Sequence, residues 1–343
     1  MAASKFSSSS AKQTTHFEAT CAKISAFYFD LDNTLIPTRA GDLKAIRKLG
    51  DVLETQYQFS KDDASLSTQN FLKAFRRCPD NSQTSLDSWR THLWRESLPP
   101  RHKHLAEQIY PQWLRLRYRY LAVPADYVQL LVRMRQAGYA LALITNGPSN
   151  AQWEKVAKLH VRGYFDCVLV SSDLPWEKPH PEIFYAACNF LNVKPHQCAM
   201  IGDKLETDIK GGHLAQLGLT FWTPLSSSSN SAAQSLEDVE YRPHIKLGSL
   251  LEMYKYFPRL NAIATLDSSS TSRRRGSHIS GSVVNGSSGS GSGSSGSGSI
   301  ISSSASCEPA HQQQRQWVYR RGVSLPAMDC SNSEAENSCD SFL

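Results

Sequence analysis

The run from Ile24 to Phe29 is almost continuously apolar, and it ends in two carboxylates at alternate positions, Asp30 and Asp32, followed by Thr34. A strand buried on both faces reads as an apolar run, so the segment predicts a central parallel strand that delivers acids to its carboxyl end. Two carboxylates arriving together repel unless a cation sits between them, and a divalent metal meets that need. A strand that simply ends in a turn, where Asp and Asn are common, is the plainer alternative.

Three later segments extend the pattern. Leu141 to Ile144 is a second strand-sized apolar run, closed by Thr145, Asn146 and Gly147. These supply a hydroxyl, an amide and an approachable backbone, groups that suit a phosphate. Lys178 stands just ahead of Ile183, Phe184, Ala187 and Leu191, whose spacing predicts a helix with the lysine at its entrance. Ala199 to Gly202 is a further apolar run, closed by Asp203, with Glu206 and Asp208 in the helical pattern that follows.

In order, spacing and strand context, these segments resemble the haloacid dehalogenase (HAD) superfamily of phosphohydrolases over about residues 24 to 258. The resemblance implies an α/β, Rossmann-like core, a parallel sheet flanked by helices. It implies that Asp30 is a nucleophile and Asp32 an acid/base, and that Thr145 and Lys178, with Asn146 and Gly147, hold the phosphoryl group. Mg2+ would be bound by Asp30, Asp203 and the backbone carbonyl of Asp32, with Asp208 steadying the metal's water shell. These ligands are all oxygens, which favours Mg2+ over Zn2+. Phosphate monoester hydrolysis needs on the order of 20 kcal/mol of transition-state stabilisation, which explains why so many groups converge.

Longer stretches sharpen the resemblance. Asp30-Leu-Asp-Asn-Thr-Leu-Ile36, Glu177-Lys-Pro, Ile183-Phe-Tyr, Cys188-Asn and Gly202-Asp-Lys-Leu-Glu-Thr-Asp-Ile-Lys-Gly-Gly212 are similar to the N-acylneuraminate 9-phosphatase family. Arg90-Thr91, Trp94 and Trp113 are similar to a lesser degree. The implied substrate is a small phosphorylated sugar, N-acylneuraminate 9-phosphate, and the product free sialic acid. Two alternatives stay open: a phosphatase for another small phosphorylated sugar or metabolite, and a catalytically silent interaction protein. The latter would usually have lost Asp30 or Asp203.

Between the first two motifs lie roughly 85 residues with helical periodicity, too long for a loop in a compact domain. They predict an inserted helical cap over 37–123, leaving a core made of 24–36 and 124–258. Helices are expected near Asp42–Tyr57, Ser65–Cys78, Ser85–Glu96 and His102–Tyr120, with hinges at Ile36–Thr38 and Leu121–Pro124. After the cap, helices alternate with strands at Leu141–Ile144 and Val168–Ser171, and the resemblance implies that the core closes with a strand at Leu219–Trp222 and a last helix near Leu247–Tyr256. By resemblance the cap is a lid.

From Ile36 to Val123 there are fifteen Lys or Arg against nine Asp or Glu, a sign that attracts anions. An arginine fork can grip a carboxylate through two parallel hydrogen bonds, although Arg115, Arg117 and Arg119 cannot all face one way on a helix. No base-stacking motif accompanies the charge, so no nucleic-acid partner is expected. The longest apolar runs are strand-sized, and the opening residues carry no secretory segment, so no membrane span and a cytoplasmic location are expected.

The eight cysteines, at 21, 78, 167, 188, 198, 307, 330 and 339, show no close CxxC pair. Cys167, Cys188 and Cys198 lie in apolar-periodic segments and are expected as reduced buried thiols. Residues 1–23 are expected to be a flexible N-terminus and 259–343 a disordered Ser/Gly-rich tail, since such a composition cannot offset the entropy of folding. Within that tail Arg320 to Pro326 resembles a phosphopeptide docking motif centred on Ser324, implying a phospho-dependent partner.

Overall fold

In the computed structural model of the chain, β1 (Ala26–Phe29) has no exposed residue and carries a parallel neighbour on each side. The structure describes residues 17–77, 85–225 and 240–262. Ser324, Cys78, Cys307, Cys330, Cys339 and most of the two expected flexible ends lie outside those residues. Among the described residues β1 is joined by β2 (Ala140–Thr145), β3 (Cys167–Val170), β4 (Cys198–Gly202), β5 (Leu219–Trp222) and β6 (Ile245–Lys246). The order is β3-β2-β1-β4-β5-β6, every pair parallel.

That order places β1 where the winding of the sheet reverses, between β2 and β4. Crevices at the carboxyl ends of such strands are where open α/β sheets bind ligands. The register aligns Phe29 with Leu143 and Ile201, so Asp30, Thr145 and Asp203 emerge on the same edge. Flanking the sheet are α5 (Ala125–Gln136), α6 (Ser149–Lys158), α7 (Pro181–Leu191), α8 (Lys210–Leu214) and α9 (Met253–Tyr256). Phe27 meets Tyr139 and Phe257 edge-on, with ring centroids 4.9 and 4.8 Å away.

Between β1 and α5 come α1 (Thr38–Gln56), α2 (Lys61–Phe75), α3 (Leu86–Ser97), a 3-10 turn (Pro100–Leu105) and α4 (Ala106–Tyr120). They enclose an apolar interior separate from that of the sheet, built on Leu49, Leu53, Phe71, Trp94, Ile109 and Trp113. Phe71 stacks on Trp94 at 3.8 Å and meets Trp113 edge-on at 4.8 Å. Burying a Phe side chain fully contributes roughly 1.5–3 kcal/mol, so these helices hold together around their own aromatics. Ser60 and Ser85 cap α2 and α3 by accepting from the N–H three residues on.

The elements differ from the sequence expectation in several places. Residues 17–23, assigned to a flexible N-terminus, are helical, because Phe17, Cys21 and Ile24 share one face and pack on the core. α1 starts at Thr38 and not near Asp42, since the chain enters it directly after Pro37. The helix expected from His102 is split, with Pro100 opening a tighter 3-10 turn before α4. Leu205–Ile209, expected as ordinary helix, is a wider π turn. The closing helix shortens to a 3-10 turn at Leu250–Glu252 and the single turn of α9, because Leu247 hydrogen-bonds to Trp222 at the end of the sheet.

Candidate active site

Three carboxylates meet beyond the ends of β1 and β4. Oxygens of Asp30, Asp203 and Asp208 lie within 4.8 Å of one another, and all three groups are withdrawn from solvent. Asp208 comes up from the π turn, where its Oδ2 accepts from the Lys204 N–H at 3.0 Å. Lys178 reaches in from the loop before α7. Its Nζ lies 2.7 Å from Asp30 Oδ1 and 2.7 Å from Asp208 Oδ1, and it donates to the Ile144 carbonyl at 2.7 Å.

Three carboxylates around one ammonium leave an excess of negative charge, and the titration of the group reflects it. Burial pushes the Asp30 carboxyl up to about 7, with Lys178 opposing and Asp208 and Asp203 adding to the rise. Burial, then the charge of Asp208, pushes Asp203 up to about 6. Burial works against the charge of Lys178, but Asp208 and Asp30 outweigh it and keep the ammonium protonated. Asp203 Oδ1 is buried with no hydrogen-bond partner. An all-oxygen set with an orphaned carboxylate oxygen and uncompensated charge fits a hard divalent cation.

Asp32 faces the other way. Its carboxylate receives Lys155 Nζ at 2.8 and 2.6 Å, Gln152 Nε2 at 3.1 Å and the Thr38 hydroxyl at 2.5 Å. Burial alone would raise this carboxyl, but Lys155 and the hydrogen bonds from Lys155, Thr38 and Gln152 outweigh it and hold it down to about 2.

The family description that matches residues 24–216 is haloacid dehalogenase-like hydrolase. The chain belongs to that family. N-acylneuraminate-9-phosphatase from Homo sapiens is 32% identical over 243 residues, spanning 68% of this chain and 93% of that protein. A glyceraldehyde 3-phosphate phosphatase from Methanopyrus kandleri is 30% identical over 199 residues, spanning 56% and 81%. A HAD phosphatase structure from Thermococcus onnurineus shares 24% identity, covers 68% of this chain and 97% of its own, and superposes with a TM-score of 0.45. With the family match and these two sequence relatives, the hydrolase is a phosphoric monoester hydrolase.

In this hydrolase the residues expected around a phosphate are placed unequally. Thr145 is fully buried at the end of β2, with its hydroxyl 3.3 Å from Gln152 Oε1. Asn146 uses its amide on the backbone of Lys178, donating to its carbonyl at 2.8 Å and accepting from its N–H at 3.0 Å. That side chain fixes the backbone of the lysine. The Gly147 N–H donates to Ser171 Oγ at 3.1 Å.

Sequence reasoning missed Gln152 and Lys155. Gln152 also donates to the Asn146 carbonyl at 3.1 Å, so it links the loop after β2 to Asp32. Both residues sit one turn apart on α6, directly after the Thr145 loop, and that spacing of an amide and an ammonium was the available signal. Among the described residues no helix is long and apolar enough to cross a membrane.

Proposed function

We propose that this hydrolase is a Mg2+-dependent phosphomonoesterase that works through an aspartyl phosphate and releases free sialic acid from N-acylneuraminate 9-phosphate. The observation that carries the reading is the 32% identity to the human phosphatase across 93% of that protein's length. The geometry supports the chemistry.

Asp30 is the nucleophile of this reading: its carboxylate attacks phosphorus, a bond forms from its oxygen, and the bond to the sugar oxygen breaks. Lys178 and Thr145 hold the phosphoryl oxygens and offset their charge. Asp32 donates a proton to the departing alkoxide and then takes one from the water that hydrolyses the aspartyl phosphate, which restores Asp30. To do so Asp32 has to leave Lys155, since the ion pair holds it deprotonated. Mg2+ would be held by Asp30, Asp203 and the carbonyl of Asp32, with Asp208 at its water shell, and would supply positive charge against the phosphate.

Residues 37–123 act as a lid that excludes water and contacts the leaving sugar. The free buried thiols Cys21, Cys167, Cys188 and Cys198 suit a reducing cytoplasm, and Ser324, once phosphorylated, is read as a docking point. The test is phosphate release from a panel of phosphorylated sugars and sugar acids, with Mg2+ and with EDTA. Asp30→Asn should abolish turnover while the circular dichroism spectrum is preserved. Turnover by that variant at the parental rate would sink the mechanism, and a preference for a sugar without a carboxylate would sink the substrate.

A further inference from the structure

Two arginines of the helical insertion are almost completely buried, Arg90 on α3 at 1% exposure and Arg117 on α4 at 2%. They share an aromatic wall. The Arg90 guanidinium lies 5.9 Å from the ring centres of both Phe75 and Trp113, and that of Arg117 lies 5.0 and 5.7 Å from the same two rings. Each keeps one buried nitrogen without an acceptor, Arg90 Nε and Arg117 Nη1. A buried donor left unpaired is costly, and two on guanidinium groups that share the same two rings point to an acceptor that arrives from outside.

Their partners differ in origin. Arg117 Nε donates to Asp42 at 2.8 Å, and Asp42 is on α1, so this pair travels with the insertion. Arg90 instead meets Glu154 end-on, Nη1 to Oε1 at 2.9 Å and Nη2 to Oε2 at 2.6 Å, and Glu154 is on α6 of the sheet domain. Lifting the insertion away from the sheet breaks the second pair and not the first. Glu154 also adjoins Lys155, which holds Asp32, the group that faces the leaving oxygen in the reading above. Arg90 is therefore tied to the helix that carries the anchor of Asp32.

We propose that Arg90 and Arg117 grip the carboxylate of the leaving sugar acid, and that Glu154 is a stand-in for it on Arg90. This rests on the sugar-acid reading and assigns its recognition. The carboxylate of Glu154 and that of a sugar acid present the same planar pair of oxygens to the guanidinium fork. Substrate enters with the insertion raised, Arg90 exchanges Glu154 for the ligand, and the unpaired nitrogens gain an acceptor. As a fixed strut the Arg90–Glu154 pair would be a poor device, because desolvating two charges offsets most of their attraction.

The experiment compares KM for N-acylneuraminate 9-phosphate with KM for its 1-carboxamide, which removes the charge alone. The rate on p-nitrophenyl phosphate reports whether the reacting groups remain assembled. Glu154→Gln should lower KM for the carboxylate ester about threefold or more relative to the amide, because the competing charge is gone. Arg90→Lys and Arg90→Met should raise that ratio by about tenfold or more, since a two-pronged contact is lost. A strut predicts the opposite sign for Glu154→Gln, a KM that rises alike for both esters, and that result would overturn the inference even if the Arg90 variants fail to fold. Parental enzyme that cleaves p-nitrophenyl phosphate and other sugar phosphates but neither sialic ester would instead overturn the substrate reading, and this inference with it.

Discussion

A β-carbon added to Gly202 would sit 2.3 Å from the Asp208 carboxyl, so this glycine is what lets Asp208 lie against the end of β4 beside Asp203. Gly202→Ala should push Asp208 aside and weaken Mg2+ binding by about tenfold or more, given the usual effect of disturbing groups around a metal. Isothermal titration with Mg2+ checks this, and parental affinity in the variant would refute it. Lys155 makes a different prediction. With Lys155→Met the ion pair that holds Asp32 deprotonated is gone, so its carboxyl rises and the kcat–pH profile on a sugar phosphate, whose leaving alkoxide needs a proton, should move to higher pH. The profile on p-nitrophenyl phosphate, which has a better leaving group, should move far less, and equal shifts on both would argue against a role through Asp32.

At the scale of elements, the two connections into the helical insertion run side by side. A β-carbon on Gly41 in α1 would lie 2.7 Å from the Tyr120 carbonyl and 2.8 Å from the Leu121 side chain. Gly41→Ala should therefore wedge α1 from the end of α4 and cost about 1–3 kcal/mol, the usual penalty for overpacking. Urea unfolding would read it as a lower midpoint at constant slope. The elements themselves were legible to unequal degrees. β1, β2 and β4 could be read because each is an apolar run with a polar stop, and burial on both faces demands that pattern. The boundaries of α1, the split before α4 and the π turn could not, since each depends on how the chain enters or leaves a packed neighbour. Asn146 shows the same limit at one residue, its amide being drawn to the Lys178 backbone, which is adjacent only after folding.

For the molecule as a whole, the raised carboxyls of Asp30 and Asp203 set a pH dependence of unusual sign. Their ordinary value is 3.8 and their folded values are about 7 and about 6, so between about 4 and 7 the folded chain binds more protons than the unfolded one. The metal-free contribution of these groups to stability falls as pH rises through that window. Asp32, held down to about 2, acts oppositely, and its contribution is lost only as pH falls below about 4. A dication competes with those protons. Melting in EDTA and in excess Mg2+ should show a larger gain from Mg2+ at pH 8 than at pH 5.5, and equal gains would contradict binding at this cluster.

From the sequence by itself one could read a parallel α/β sheet with acids at its strand ends and a helical insertion between the first two strands. Apolar runs, their polar stops and helical periodicity are local properties, written into neighbouring residues. What only the tertiary structure decided is which charges face each other. Lys178 meets Asp30 across 148 positions of sequence and Lys155 meets Asp32 across 123, while Arg90 finds Glu154 from a separate layer of helices. Coulombic pairing depends on distance and burial in space, and separation along the chain carries neither.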